Sequence, residues 1–228
     1  MVETKGPLVA RPEAILWGGT GQAKVMRPVL EAAGSRVVAV FDDTPGRVSP
    51  FPDVPLFEGR TAFEKWVAGR DASRIGVIVA IGNPHGRVRL RIAEHLRGFG
   101  LTPLSAIDPS AVIAANARIG EGCQVHAGAV VMPEARIGRQ CILNTKASVD
   151  HECVLGDGVE IGPGATLCGD IRVGDGAWVC AGATVLPWVR IGADAIVGAG
   201  ALVRDDVPQG ATVVGVPARP IVRKETSP

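Results

Sequence analysis

The sequence predicts two architectures in one chain, a small α/β unit over residues 1–105 and a parallel β-helix over residues 106–228. Three observations carry that expectation. From Ile107 onward the chain can be written in sixes without a gap, whereas before it short apolar runs alternate with stretches of helical spacing. The composition, with 30 Gly, 4% aromatic residues and no Tyr, suits tight turns and small side chains better than an ordinary core.

In chain order, Ala14 to Trp17 is a short apolar strand running into GGTGQA, Gly18 to Ala23. KVMRPVLEAAG then has helical spacing, with Val25, Met26, Val29, Leu30 and Ala33 on one side. RVVAVFDD, Arg36 to Asp43, reads as a buried strand ending in two carboxylates and completes a βαβ unit. IGVIVAIG, from Ile75, leads through Asn-Pro-His-Gly into the helical stretch RVRLRIAEHLRGFG. The alternation indicates a small parallel, Rossmann-like sheet. A glycine loop that opens a helix offers backbone N–H groups and the helix dipole to a phosphate. Asp42 or Asp43 follows about 20 residues on, where a carboxylate reaches a ribose or base. The loop reads G-G-x-G-x-A rather than GxGxxG, and only about half the strands of a dinucleotide fold are present. A nucleotide is therefore expected, not a dinucleotide.

Seventeen hexads run from Ile107 to Pro208, and every first position is Ile, Val or Leu. In a chain that is 46% apolar, chance gives that roughly once in a million. The fifth position is Ala, Cys, Val or Ile throughout, and turn-forming Gly, Pro, Asn and Asp crowd positions two to four. Such a period means a parallel β-helix of triangular coils, three hexads each, stacked with no slip of register or inserted loop. Each coil buries its first-position side chains only against its neighbours above and below. Cys123, Cys141 and Cys153 take fifth positions and Cys168 and Cys180 second positions, with no CxxC pair, so they read as packing residues. One row of outward sixth positions, Val112, Val130, Ser148, Thr166, Thr184 and Leu202, carries no charge and reads as a subunit contact. A second row, Arg118, Arg136, Val154, Arg172 and Arg190, is basic, either a solvated face or one facing an anion.

Lys and Arg number 24 against 23 Asp and Glu, so no net field draws in nucleic acid or an anionic membrane. No stretch approaches about 18 consecutive apolar residues, and the opening MVETKGPLVARPE lacks an apolar run of signal-peptide length. A soluble, cytoplasmic protein is expected.

Three stretches together, ILWGGTGQA at Ile15, NTKASVDHEC at Asn144 and GVPARPI at Gly215, carry a resemblance over nearly the whole chain. The chain resembles the sialic-acid O-acetyltransferase-like family of hexapeptide-repeat sugar acyltransferases. Within it, the nearest likeness is to nucleotide-sugar 4-amino N-acetyltransferases of the bacillosamine and perosamine pathways. The resemblance implies a left-handed β-helix, a homotrimer, and acetyl-CoA lying between neighbouring prisms, with a nucleotide-linked amino sugar in the N-terminal domain. It puts His151 on the family's catalytic histidine and Glu152 on the acidic neighbour that orients it. By the same resemblance Gly18, Gly21, Gln22, Asp42, Asp43 and Asn144 bind the substrate, and Gly169, Ala181 and Ala199 bind acetyl-CoA. Some relatives carry His where this chain has Gln22.

Read by position alone, His151 is a third-position residue whose stack neighbours Pro133, Gly169 and Pro187 leave open space beside it. N-acetylation needs a neutral amine, and a histidine beside a carboxylate is suited to take its proton near neutrality. His126 is a second candidate directed to the same region; His85 and His95 read as surface or helix residues. Transfer to a sugar hydroxyl uses the same residue types and stays open, as does a non-catalytic assembly role. No metal is expected: a zinc prism needs three converging histidines, and the repeat region holds two.

Overall fold

The computed structural model describes residues 11–82 and 84–221; the reading of residues 1–10 lies outside them. Strand β1 (Glu13–Trp17), helix α1 (Gly21–Ala32), β2 (Arg36–Asp42), β3 (Leu56–Glu58), α2 (Gly59–Val67), β4 (Ile75–Val79), α3 (Gly86–Gly98) and β5 (Thr102–Pro103) form the first unit. Its sheet is wholly parallel in the order β3-β2-β1-β4-β5. Alternate side chains of β1 explain the layering. Ala14 and Leu16 pack with Met26, Val29 and Leu30 of α1, while Ile15 and Trp17 pack with Phe63 of α2 and Ile92 and Leu96 of α3. The α1 stripe is narrower than its sequence spacing suggested. Ala23, Met26, Val29 and Leu30 are buried, whereas Val25 and Ala33 sit at the solvent flank of the helix. Neither β3 nor α2 was read from the sequence, because each is short and the preceding loop has no periodicity.

From Ala106–Ile107 to Leu202–Val203 a two-residue strand recurs every six residues. Each pairs the sixth position of one hexad with the first of the next. First positions from Val125 to Val203 are buried, and Ile107, Ile113 and Ile119 at the first coil pack partly exposed against that core. From Gly122 to Gly200 the turns share one requirement. Fourth positions adopt the left-handed conformation, as glycines at Gly122, Gly158 and Gly164 but also as Glu134 (φ 63°), Lys146 (φ 58°), Glu152 (φ 60°) and Asp170 (φ 53°).

Strands pair at a spacing of three hexads, as in Val130↔Ser148, Ser148↔Thr166 and Thr166↔Thr184. The expectation that register never slips is corrected in the last coil. There Ile191 bridges Val207 and Ile196 pairs with Thr212, two residues short of that spacing. A shorter turn at 204–206 puts Val207, a fifth position by count, where a first-position residue would lie.

The prism has three faces. The uncharged row lines a six-stranded sheet and the arginine row a five-stranded one. The third face carries Ala106, Gln124, Ile142, Glu160, Trp178 and Ile196, and the N-terminal unit docks on it. Gln124, Ile142 and Glu160 are consequently buried. Contact is close enough that Gly86, at the start of α3, has no room for a side chain: a Cβ there would meet the Gly158 carbonyl oxygen at 2.1 Å. Gln22 of α1 reaches across to the Gln124 Oε1 at 2.7 Å and the His126 Nε2 at 2.9 Å. No helix among the described residues is long and apolar enough to cross a membrane.

His126 is 2% exposed. Burial lowers its pKa from 6.5 to about 4, with only the nearby Asp108 carboxylate acting the other way. The unfolded chain therefore binds a proton that the folded one refuses. Stability from the neutral imidazole is complete above about pH 6.5 and is lost as pH falls toward 4, at roughly 1.4 kcal/mol per pH unit. Denaturant unfolding of His126→Gln across this window is expected to show a shallower pH slope than the parent. Equal slopes would contradict the buried, neutral state.

Candidate active site

In a parallel α/β sheet the crevice lies at the carboxyl ends of the strands, where the order reverses. Here β1 leads to β2 on one side while β4 lies on the other, so the switch point falls between β1 and β4. A cleft of about 680 Å³ opens there, walled by the ends of β1, β2 and β4 and closed by Asn144, Glu160 and Pro163 of the prism. Gly18 turns the chain out of β1 at φ 110°, and a Cβ on it would meet the Ala80 carbonyl oxygen at 2.4 Å. At α1 no side chain caps the first turn, so its early amides lack intrahelical acceptors and face an anion's natural place.

The two strand-end carboxylates separate in role. Asp42, 7% exposed, accepts from the Gly19 amide at 2.7 Å and the Thr44 amide at 2.9 Å, and pairs with Arg47 Nε at 3.0 Å. Burial alone would raise its pKa; the Gly19 and Thr44 hydrogen bonds and Arg47 outweigh that and hold it below the usual carboxylate range. Asp42 thus latches the glycine loop. Asp43 is exposed on the rim of the cleft, its carboxylate without a hydrogen-bond or ion-pair partner among the described residues. Gln22 also lines the cleft, with its amide nitrogen engaged by Gln124 and His126.

His151 lies on the next corner of the prism, between the uncharged and arginine faces. Its Nδ1 is 3.1 Å from Glu152 Oε2, which as an acceptor leaves Nε2 with the lone pair. Arg172 braces the pair from the arginine face, donating to the Glu152 carbonyl at 2.7 Å and pairing with Asp170 at 2.8 Å. The ring lies over Gly169: a Cβ there would come within 2.5 Å of the imidazole. The pair is more than half exposed, so within one chain it contributes little stability.

The residues singled out in the sequence therefore fall on two corners flanking the uncharged face. Gly18, Gly21, Gln22, Asp42, Asp43 and Asn144 line one cleft, with exposed Ala181 and Ala199 on the same corner of the prism, in the stack of Pro163. His151, Glu152 and Gly169 lie on the other. His126 belongs to the first corner, as a buried docking residue rather than a neighbour of His151. His85 lines the cleft at the start of α3.

Arg47, Glu160 and Arg89 were missed. Arg89 had a signal: with Ile92, Ala93 and Leu96 it occupies the buried stripe of α3, where a charge is out of place. Burial pushes the Cys153 and Cys180 thiols up to about 11, so neither is a thiolate nucleophile near neutrality.

Two family models match the repeat region: GlmU-like, C-terminal hexapeptide over residues 105–167, and bacterial transferase hexapeptide (six repeats) over residues 170–205. No curated protein matches the chain. Among solved structures, GDP-perosamine N-acetyltransferase from Caulobacter crescentus is 37% identical, with a TM-score of 0.84 over 92% of this chain and 97% of that one. It was solved as a histidine-to-alanine mutant in complex with CoA and GDP-perosamine. The acetyltransferase domain of PglB from Neisseria gonorrhoeae, in complex with acetyl coenzyme A, is 32% identical with a TM-score of 0.81, covering 92% of this chain and all (100%) of that one. WeeI from Acinetobacter baumannii is 28% identical with a TM-score of 0.80, over 91% and 99% of the two chains. A front-end nucleotide crevice, a left-handed hexapeptide prism and near full-length likeness at this identity lead to one assignment: the chain belongs to the hexapeptide-repeat sugar acyltransferase family that includes the Caulobacter N-acetyltransferase and the PglB acetyltransferase domain.

Proposed function

We propose that this protein transfers the acetyl group of acetyl-CoA to the 4-amino group of a nucleotide-linked amino-deoxy sugar, of the GDP-perosamine or UDP-4-amino-sugar type, as a cytoplasmic homotrimer. The observation that carries this reading is the likeness to GDP-perosamine N-acetyltransferase, which spans both the crevice and the histidine corner. The chemistry of the residues agrees. The α1 amides and Arg47 suit a diphosphate, and Asp43 suits a ribose or base donor.

In the reaction the neutral amine attacks the thioester carbonyl, the C–N bond forms, and the C–S bond then breaks to release CoA thiolate. His151 takes the amine proton on Nε2, while Glu152 holds Nδ1–H and steadies the imidazolium. Gly169 leaves room for the imidazole above it. The proton ends on the departing sulfur.

Two facts support a site shared between subunits. His151 and Asn144 stand on different corners, with the hexad face between them. That face carries no charge, and Met132, Leu186 and Trp188 beside it on the histidine corner are exposed, Trp188 at 76%. Threefold packing about this face sets the histidine corner of one prism against the Asn144 corner of the next. Acetyl-CoA then lies between them, along Gly169 of one and Ala181 and Ala199 of the other.

The activity is tested by thiol release from acetyl-CoA with GDP- and UDP-linked 4-amino sugars beside their 4-hydroxyl counterparts. Turnover with an amine and none with a hydroxyl is expected; the reverse would make this an O-acetyltransferase. His151→Ala should assemble normally and lose about 10²–10⁴ in kcat, and Glu152→Gln should lose less. An alanine enzyme within threefold of its parent would remove the histidine from the chemistry. Light scattering is expected to give a trimer mass, and Thr166→Arg should weaken assembly by burying an unpaired charge. A monomer at micromolar concentration would refute the shared site.

A further inference from the structure

Asn144 closes the crevice from the prism side, and its carboxamide can face the ligand in either of two nearly isosteric orientations. Its neighbour decides which. Asn144 Nδ2 is 2.8 Å from Glu160 Oε1. An ionised carboxylate only accepts, so the amide nitrogen must turn toward Glu160 and the oxygen away from it. No protein donor reaches that oxygen among the described residues.

Glu160 is only 4% exposed, and an ion buried so deeply calls for an opposite charge beside it. Arg89 supplies it. It is fully buried, with Nη1 3.4 Å from Glu160 Oε2. Three more of its N–H groups donate to backbone carbonyls, those of Ile81 at 3.1 Å, Gln140 at 3.0 Å and Gly158 at 2.9 Å. Ile81 belongs to the crevice wall, and Gln140 and Gly158 to turns of the prism. One guanidinium therefore ties the crevice wall to the prism and sets a positive charge beside the Glu160 carboxylate.

We propose that Glu160, held by Arg89, is a positioning residue that fixes the Asn144 amide so that its oxygen faces the acceptor sugar. Asn144 then reads a hydrogen-bond donor of the sugar, an amine or hydroxyl, and not an acceptor. The inference rests on the reading of the acceptor as a nucleotide-linked amino sugar.

Glu160→Gln tests it, because glutamine both donates and accepts and no longer dictates the flip. The expected result is a roughly tenfold rise in KM for the nucleotide amino sugar, with KM for acetyl-CoA within twofold of the parent. In an Asn144→Ala background the same substitution should change little, since the residue acted upon is gone. Should Glu160→Gln fail to fold, Glu160→Asp, whose shorter carboxylate falls back from Asn144, is expected to give the same split. A rise in both KM values, or an effect that persists undiminished without Asn144, would make the pair a domain clamp only and overturn the inference. A parent enzyme without turnover on any nucleotide amino sugar would instead overturn the reading of the activity, and this inference with it.

Discussion

A two-residue strand cannot bury its own side chains. Each first-position Val, Ile or Leu of the prism leaves water only when the coil above and the coil below supply its walls. That single constraint sets the three-hexad register, and the register determines which residues share a face or a corner. It makes a row of small fifth positions obligatory and forces the fourth position of turn after turn into the left-handed conformation. At Glu152 the forced turn has a chemical outcome, because the residue bent into that conformation is the one whose carboxylate meets His151.

The same constraint leaves the outward faces free to differ. One face is taken by the N-terminal unit, and the docking is unusually polar at its centre, with Gln22, Gln124, His126, Arg89 and Glu160 drawn together. Burying an ion pair is a poor way to gain stability, since desolvation offsets much of the attraction. Its retention fits a demand for orientation: Arg89 has four acceptors in fixed directions, and every one lies on the seam between crevice and prism. The seam is where the crevice closes.

How much of this was legible depended on periodicity. The hexads, the three-hexad stacking and the parallel front sheet could all be read, because each repeats a hydrophobic spacing often enough to stand out. The exception within the prism is the last coil, where two fewer residues in the turn at 204–206 moved Val207 out of its counted place; nothing in the apolar pattern marks that change. The short β3 and α2 were invisible for want of a repeat. At the site, residues whose type and place in a motif suggested chemistry, such as His151 and Asp43, were nameable in advance as candidates. Residues that act through packing were not. Glu160 reads as one more polar sixth position until the N-terminal unit is seen to cover its face, and Asp42 and Asp43 look alike until Gly19 and Arg47 engage only the first.

The division of the site between two corners is what the proposed mechanism depends on. In a ring of three, each site would take His151 from one chain and Asn144 from the next. Mixing His151→Ala and Asn144→Ala chains by dissociation and reassembly examines that directly. Assayed at a nucleotide-sugar concentration well below KM, each parent variant is expected to be only weakly active on its own. In a random equal mixture, about one interface in four would combine an intact His151 with an intact Asn144, so about a quarter of the wild-type rate should return. A mixture no more active than its components would place both residues in the same chain's site and contradict the account.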